Sequence, residues 1–203
     1  MNATDLSYTP ALELGRLYRA KKLSPVEVTD AVLGRIERLN PQLNAYLTVT
    51  ADHARELARA AEARFARGEG GGALDGIPYS IKDLEPTAGV RTTYGSKFFE
   101  HNVPTEDGAV ASRLRGSGGI LLGKTNTPHF GYKDMCDNLI GPPCKNPWNL
   151  ARTSGASSGG ASIDIGSRAS GPAMIWSRIA ASRTVRVIGP LWERAPQRSA
   201  LGQ

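Results

Sequence analysis

The sequence predicts an α/β fold, with several N-terminal helices followed by a sheet layered by helices. Three observations predict it. Helical apolar spacing fills most of the first 67 residues, and short apolar runs bounded by glycine and proline begin at Gly76. Those runs then alternate with one further helical segment, a strand, helix, strand order that builds layered α/β sheets.

Residues 8–20 carry Leu12, Leu14, Leu17 and Tyr18 on a helical face of modest length. The next helix is better signalled. Ser24 is a good N-cap, Pro25 suits the first helical position, and Glu27 completes a capping box. Val28, Ala31, Val32, Ile36 and Leu39 follow at helical spacing, with Arg35 the polar exception, and Asn40-Pro41 is expected to end the segment. Residues 51–67, rich in Ala, Glu and Arg, predict a third helix, stopped by the flexible loop Gly68 to Gly72. Beyond Gly76, the expected strands are Ile77 to Ile81, Val90 to Thr92 and Ile120 to Leu122, with a helix over Asp107 to Arg115. Residues 124–162 are dense in Gly, Pro, Asn and Ser, so they read as loops and as a natural place for a site.

The net charge is +6 over 203 residues. Six arginines and two acidic residues beyond position 163 supply four of those charges, which leaves the first four-fifths of the chain nearly neutral. Interspersed Lys and Glu of this kind form an ordinary solvated surface, so no nucleic acid partner is expected. The longest aliphatic run is Ile120-Leu121-Leu122, far short of the roughly 20 apolar residues of a membrane span. With no secretory signal at the N-terminus, the chain reads as cytoplasmic, without a membrane partner. Cys136 and Cys144 read as free thiols, and His53, His101 and His129 are not spaced to complete a metal site with them.

Gly118 to Thr125 fits the phosphate-loop pattern G-x-x-x-x-G-K-[ST] letter for letter. That motif needs a strand before the loop and a helix starting at the lysine. Here the intervening residues are themselves strand-like, and Pro128 opposes a helix running on from Thr125, so a buried strand between glycine turns is the expected outcome and nucleotide binding the weaker alternative.

Two other stretches carry chemistry. In Gly76-Ile77-Pro78-Tyr79-Ser80-Ile81-Lys82-Asp83, a lysine ends an apolar strand, where desolvation lowers its pKa and fits it to act as a base. In Thr153-Ser154-Gly155-Ala156-Ser157-Ser158-Gly159-Gly160, small residues permit close backbone approach around two adjacent hydroxyls. Taken with Gly-Lys-Thr-Asn-Thr-Pro-x-Phe-Gly at 123–131 and Asn-Pro-Trp-Asn at 146–149, these stretches resemble the amidase signature family over residues 5 to about 162.

The resemblance implies hydrolysis of a carboxylic amide by a Ser, cis-Ser, Lys triad, on a small-molecule amide substrate and without metal or cofactor. Lys82 would be the catalytic base and Ser157 the catalytic bridging serine that relays a proton between lysine and nucleophile. Ser158, Gly159, Gly160 and Asp83 would support them, Ser158 by loop hydrogen bonds and Asp83 by fixing the local backbone. Asn-Thr-Pro-x-Phe-Gly looks like the free-standing amidases, and the A subunit of a tRNA-dependent amidotransferase is the alternative. His129 stands where a Glu is common among the amidases, and is more often structural than functional when alone.

The resemblance implies a nucleophile about two dozen residues after Ser157, in Asp-x-Gly-Gly-Ser-x-Arg. Counting reaches Ala181, within Arg178-Ile179-Ala180-Ala181-Ser182-Arg183-Thr184, where Ser182 stands one place late and the Asp and both glycines are gone. The expectation is therefore an incomplete amidase signature domain over 1–162, a divergent Arg-rich and poorly ordered tail over 163–203 produced by a reading-frame shift, and a chain inactive for want of its nucleophile loop. A non-catalytic fragment is the reading from another class. Substrate identity and oligomeric state are not written in these residues.

Overall fold

A computed structural model describes residues 6–167. The tail from 168, with Trp176, Ile179, Ser182 and Trp192, lies outside the described residues, so the expectation of a separate tail over 163–203 falls mostly there.

Three helices open the fold: α1 (Ala11–Arg19), α2 (Pro25–Leu43) and, after strand β1 (Tyr46–Val49), α3 (Ala51–Arg67). The capping box at the start of α2 forms as its residues dictate. The Ser24 hydroxyl accepts the Val26 N–H at 3.0 Å, and the Glu27 carboxylate accepts the Ser24 N–H at 2.8 Å. Asn40-Pro41 does not end α2, contrary to expectation. The helix runs on to Leu43, whose side chain is buried, and closes at Asn44 in the left-handed region. Pro41 lacks a backbone donor, but in the last turn little of the helix follows it. The Asn40 side chain also bonds Tyr46 N–H at 2.8 Å and Tyr46 carbonyl at 3.2 Å, anchoring the exit. Helix α3 ends at Arg67 with Gly68 in the left-handed region.

Strand β2 (Pro78–Lys82), helix α4 (Ala109–Gly116) and strand β3 (Ile120–Thr125) form a strand, helix, strand unit, with β2 rather than Val90 to Thr92 as the strand that precedes the helix, and β2 and β3 parallel. Strand β1 pairs antiparallel with the other side of β3, giving a mixed sheet of order β1-β3-β2. Central β3 is buried along its whole length. Its side chains alternate between two cores, as the twofold period of a strand requires. Ile120 and Leu122 join Leu14 and Tyr18 of α1, Val28, Val32 and Ile36 of α2, and Ala54, Ala58 and Phe65 of α3. Leu121 joins Tyr79 and Ile81 of β2 and Ala111 and Leu114 of α4 on the other face. Each such large side chain contributes about 1.5–3 kcal/mol on burial.

Val90 to Thr92 is not a strand. Its backbone is claimed by a loop: Thr92 N–H donates to Asn102 carbonyl at 2.9 Å, and the Asn102 side chain returns a bond to Thr92 carbonyl. Residues 124–162 contain more order than their composition suggests, namely a small hairpin of β4 (Lys145–Asn146) and β5 (Asn149–Thr153), then helix α5 (Gly159–Ser167). Phe98, Tyr132, Leu139 and Trp148 remain largely exposed. Among the described residues, no helix is long and apolar enough to cross a membrane.

Ser24→Ala removes one half of the capping box and is expected to lower stability by about 1 kcal/mol, read as a lower urea midpoint with an unchanged slope. Gly34→Ala, at an exposed position inside α2 with open space around it, is expected to raise the midpoint by roughly 0.5–1 kcal/mol equivalent.

Candidate active site

Lys82 is the last residue of β2, held opposite Thr125 of β3. Asp83 N–H extends that ladder by one bond, to Thr125 carbonyl at 3.0 Å. The buried Asp83 carboxylate then accepts the Thr93 N–H at 2.9 Å and the Thr93 hydroxyl, while Asp83 carbonyl accepts Tyr94 N–H at 3.0 Å. The chain after Lys82 is thus folded back on itself by one aspartate. Burial raises the Asp83 pKa, against the pull of Thr93 and of the ammonium of Lys124.

Lys124 is wholly buried in β3. Its Nζ donates to Glu85 carbonyl, to Thr87 Oγ1 at 2.8 Å and to Thr92 Oγ1 at 3.0 Å. All three donors are committed to the loop that follows Lys82. The phosphate-loop match at Gly118 to Thr125 is thereby explained as a buried strand, with no helix starting at its lysine. Burial depresses the Lys124 ammonium to a pKa of about 8.

Ser157 arrives from the far end of the described chain. Gly155 takes a positive φ, the Ala156–Ser157 peptide is cis, and α5 begins at Gly159. Across 75 positions of sequence, Lys82 Nζ donates to Ser157 Oγ at 3.0 Å. Lys82 is half-buried, and that desolvation lowers its pKa, with the thiol of Cys136 pulling the other way. A lysine shifted toward its neutral form beside a serine hydroxyl can take and return a proton through it.

The glycines after the serines fix this contact. A Cβ on Gly160 would lie 2.5 Å from Ala45 carbonyl oxygen and from Asn126 nitrogen, and a Cβ on Gly159 would lie 2.4 Å from Cys136 Cβ. Gly160 N–H donates to Asn126 carbonyl at 3.3 Å. Ser158 supports the turn through its carbonyl, which accepts the Ser162 N–H at 2.9 Å and hydroxyl at 3.2 Å. His129 is exposed and packs edge-on against Phe130.

Two residues near the site escaped the sequence reading. Asn126 donates through its side chain to Asn44 carbonyl at 2.9 Å and accepts from Thr127 N–H at 2.8 Å and Asn138 Nδ2 at 2.7 Å, tying β3's exit to two other loops. Its place in the Gly123 to Gly131 motif was the available signal. Cys136 is buried beside Lys82 and Gly159, and nothing in its spacing announced that. Among the described residues, no group of three or more His, Cys, Asp or Glu side chains is placed to hold a metal ion.

Comparison with known proteins gives one answer. The family model described as Amidase matches residues 27–173. The chain is 43% identical over 165 residues to the A subunit of the glutamyl-tRNA(Gln) amidotransferase from Anaeromyxobacter sp. (strain K), covering 77% of this chain and 34% of that protein. It is 41% identical over 170 residues to an acylamidase from Rhodococcus erythropolis, covering 81% of this chain and 35% of that one. Among solved structures, a bacterial aryl acylamidase superimposes with a TM-score of 0.73 at 34% identity, over 78% of this chain and 33% of that one. The chain spans about a third of the length of the curated relatives it matches.

Gly160→Ala is expected to cost about 1–3 kcal/mol, because the new methyl overlaps backbone that cannot rotate away. Chemical denaturation measures the loss, and a crystal structure should show the Lys82–Ser157 distance lengthened. Lys124 gives a signed pH dependence. Its folded pKa of about 8 lies below the ordinary 10.5, so the unfolded chain holds more protons between those values and stability rises with pH there. The rise should be read below pH 9, since above it the raised pKa of buried Cys144, and higher still those of Tyr18 and Tyr79, act in the opposite sense. Urea midpoints across that window should climb in the parent, and Lys124→Met should remove this group's share of the slope.

Proposed function

Because the chain belongs to the amidase signature family, we propose that it carries the lysine and bridging-serine part of a site that hydrolyses a carboxylic amide C–N bond. The observation that carries this reading is the 3.0 Å hydrogen bond from the half-buried Lys82 to Ser157, at a cis peptide beside a glycine-rich helix start. In the proposed Ser, cis-Ser, Lys arrangement, neutral Lys82 accepts a proton through the Ser157 hydroxyl from a nucleophilic serine, and the same route returns it to the leaving amine. Asp83 and Lys124 hold the strand end in place, and Ser158, Gly159 and Gly160 set the serine's position.

A nucleophile in a donor-rich loop is the remaining requirement, since such a loop stabilises the oxyanion by several kcal/mol. The stretch Arg178-Ile179-Ala180-Ala181-Ser182-Arg183 lacks the Asp and glycines of the family pattern. The chain by itself is therefore proposed to be inactive, or truncated relative to an active form. The substrate is a small amide, the location cytoplasmic, and no nucleic acid is proposed to bind this chain directly. A second reading is favoured by the 43% identity to an amidotransferase component, in which the chain acts on an amide within a multi-protein assembly.

The test is ammonia or amine release from a panel of aliphatic and aryl amides by the purified full chain, beside Lys82→Ala and Ser157→Ala. The expected result is no turnover above the Lys82→Ala background. Turnover that both substitutions abolish would keep the site and overturn the inactivity. Turnover that neither substitution affects would overturn the assignment of the site. Co-purification of further proteins in a defined ratio from a producing cell would favour the amidotransferase reading.

A further inference from the structure

The described residues hold a second reactive pair that amide hydrolysis does not use. Cys136 and Cys144 are both free and both buried. Cys144 N–H donates to Cys136 carbonyl at 2.9 Å, so the residues between them form a closed loop whose two ends lie side by side. The Cys144 thiol donates to Asn44 carbonyl at 3.2 Å and is within hydrogen-bonding reach of the Cys136 sulfur. On its other side, Cys136 packs against the first turn of α5, where an added Gly159 Cβ would stand 3.0 Å from its sulfur. The start of α5 and Lys82 both act on the Cys136 thiol, lowering its pKa.

We propose that Cys136 and Cys144 form a redox site, a dithiol that a small hydroperoxide oxidises to an internal disulfide. Cys136 is the attacking sulfur. The Cys144 hydrogen bond, the two α5 amides and the Lys82 ammonium all favour its thiolate and lower its pKa, whereas Cys144 is pushed up by its bond to Cys136 and by burial. The Cys136 thiolate attacks one peroxide oxygen and breaks the O–O bond, giving a Cys136 sulfenic acid and an alkoxide that takes up a proton to leave as alcohol, or as water from hydrogen peroxide. Cys144 sulfur then displaces hydroxide, which takes the Cys144 proton and leaves as water. Two thiols lose two protons and two electrons, and the peroxide accepts them.

The redox site stands without the proposed amidase role. The experiment accordingly uses no amide substrate. The full chain is treated with hydrogen peroxide, quenched, unfolded in urea and alkylated with iodoacetamide. Mass spectrometry should find two alkylated cysteines before oxidation and none after, with a Cys136–Cys144 linked peptide that dithiothreitol restores. In Cys144→Ser the linked peptide should be absent, and Cys136 should be captured by dimedone as the sulfenic acid. Two thiols that persist after oxidation, or links only between chains, would overturn the redox site.

Discussion

The backbone at Gly160 approaches the carbonyl of Ala45 and the peptide of Asn126 so closely that no side chain fits between them, and the arrangement around Lys82 follows from that approach. It sets the start of α5 against the exit of β3. Ser157, three residues earlier, is then carried to the end of β2, where Lys82 waits. Asn126 makes the approach productive, because its peptide and side chain bond groups from three other segments, at Asn44–Ala45, Asn138 and Gly160. A single asparagine beside a glycine thus links an early part of the chain, the α2 exit, to the last described element, α5.

Beneath this contact lies a layer of buried charge. Asp83 follows the last residue of β2 and Lys124 lies on the adjacent β3, and each fastens a different part of the loop between residues 85 and 94. Burying an ion is costly unless hydrogen bonds and an opposite charge compensate. Here the compensation comes from backbone and threonine hydroxyls, so the loop after Lys82 takes one conformation. The lysine at the surface is ordered because a second lysine is buried behind it.

Much of the fold was legible because its signals are local. Ser24-Pro25 with Glu27, the alanine-rich stretch to Arg67 and the apolar runs at 77–81 and 120–122 each act within a few residues, and each yields the element it announces. The failures are tertiary. Val90 to Thr92 has strand composition, but Asn102 and Asp83 take its hydrogen bonds. Pro41 is a stop signal that Leu43's burial and Asn40's bonds to Tyr46 outweigh. At the site, Lys82 and Ser157 were legible from a resemblance spread over four motifs. Cys136 was not, since a thiol's neighbours depend on a loop closure that no spacing encodes.

The two ends of the Lys82–Ser157 contact are 75 positions apart, and the Cys144–Asn44 bond spans 100. Contacts of such span carry a closure entropy that helix pairs like α2 and α3 do not, so they form only once most of the chain has condensed. Before that moment Lys82 is an ordinary solvated lysine, protonated at neutral pH and chemically idle. Its lowered pKa is a property of the finished tertiary structure rather than of the residue. A newly made or partly unfolded chain therefore holds only a lysine and a serine far apart, and any chemistry their contact supports waits on the completed fold.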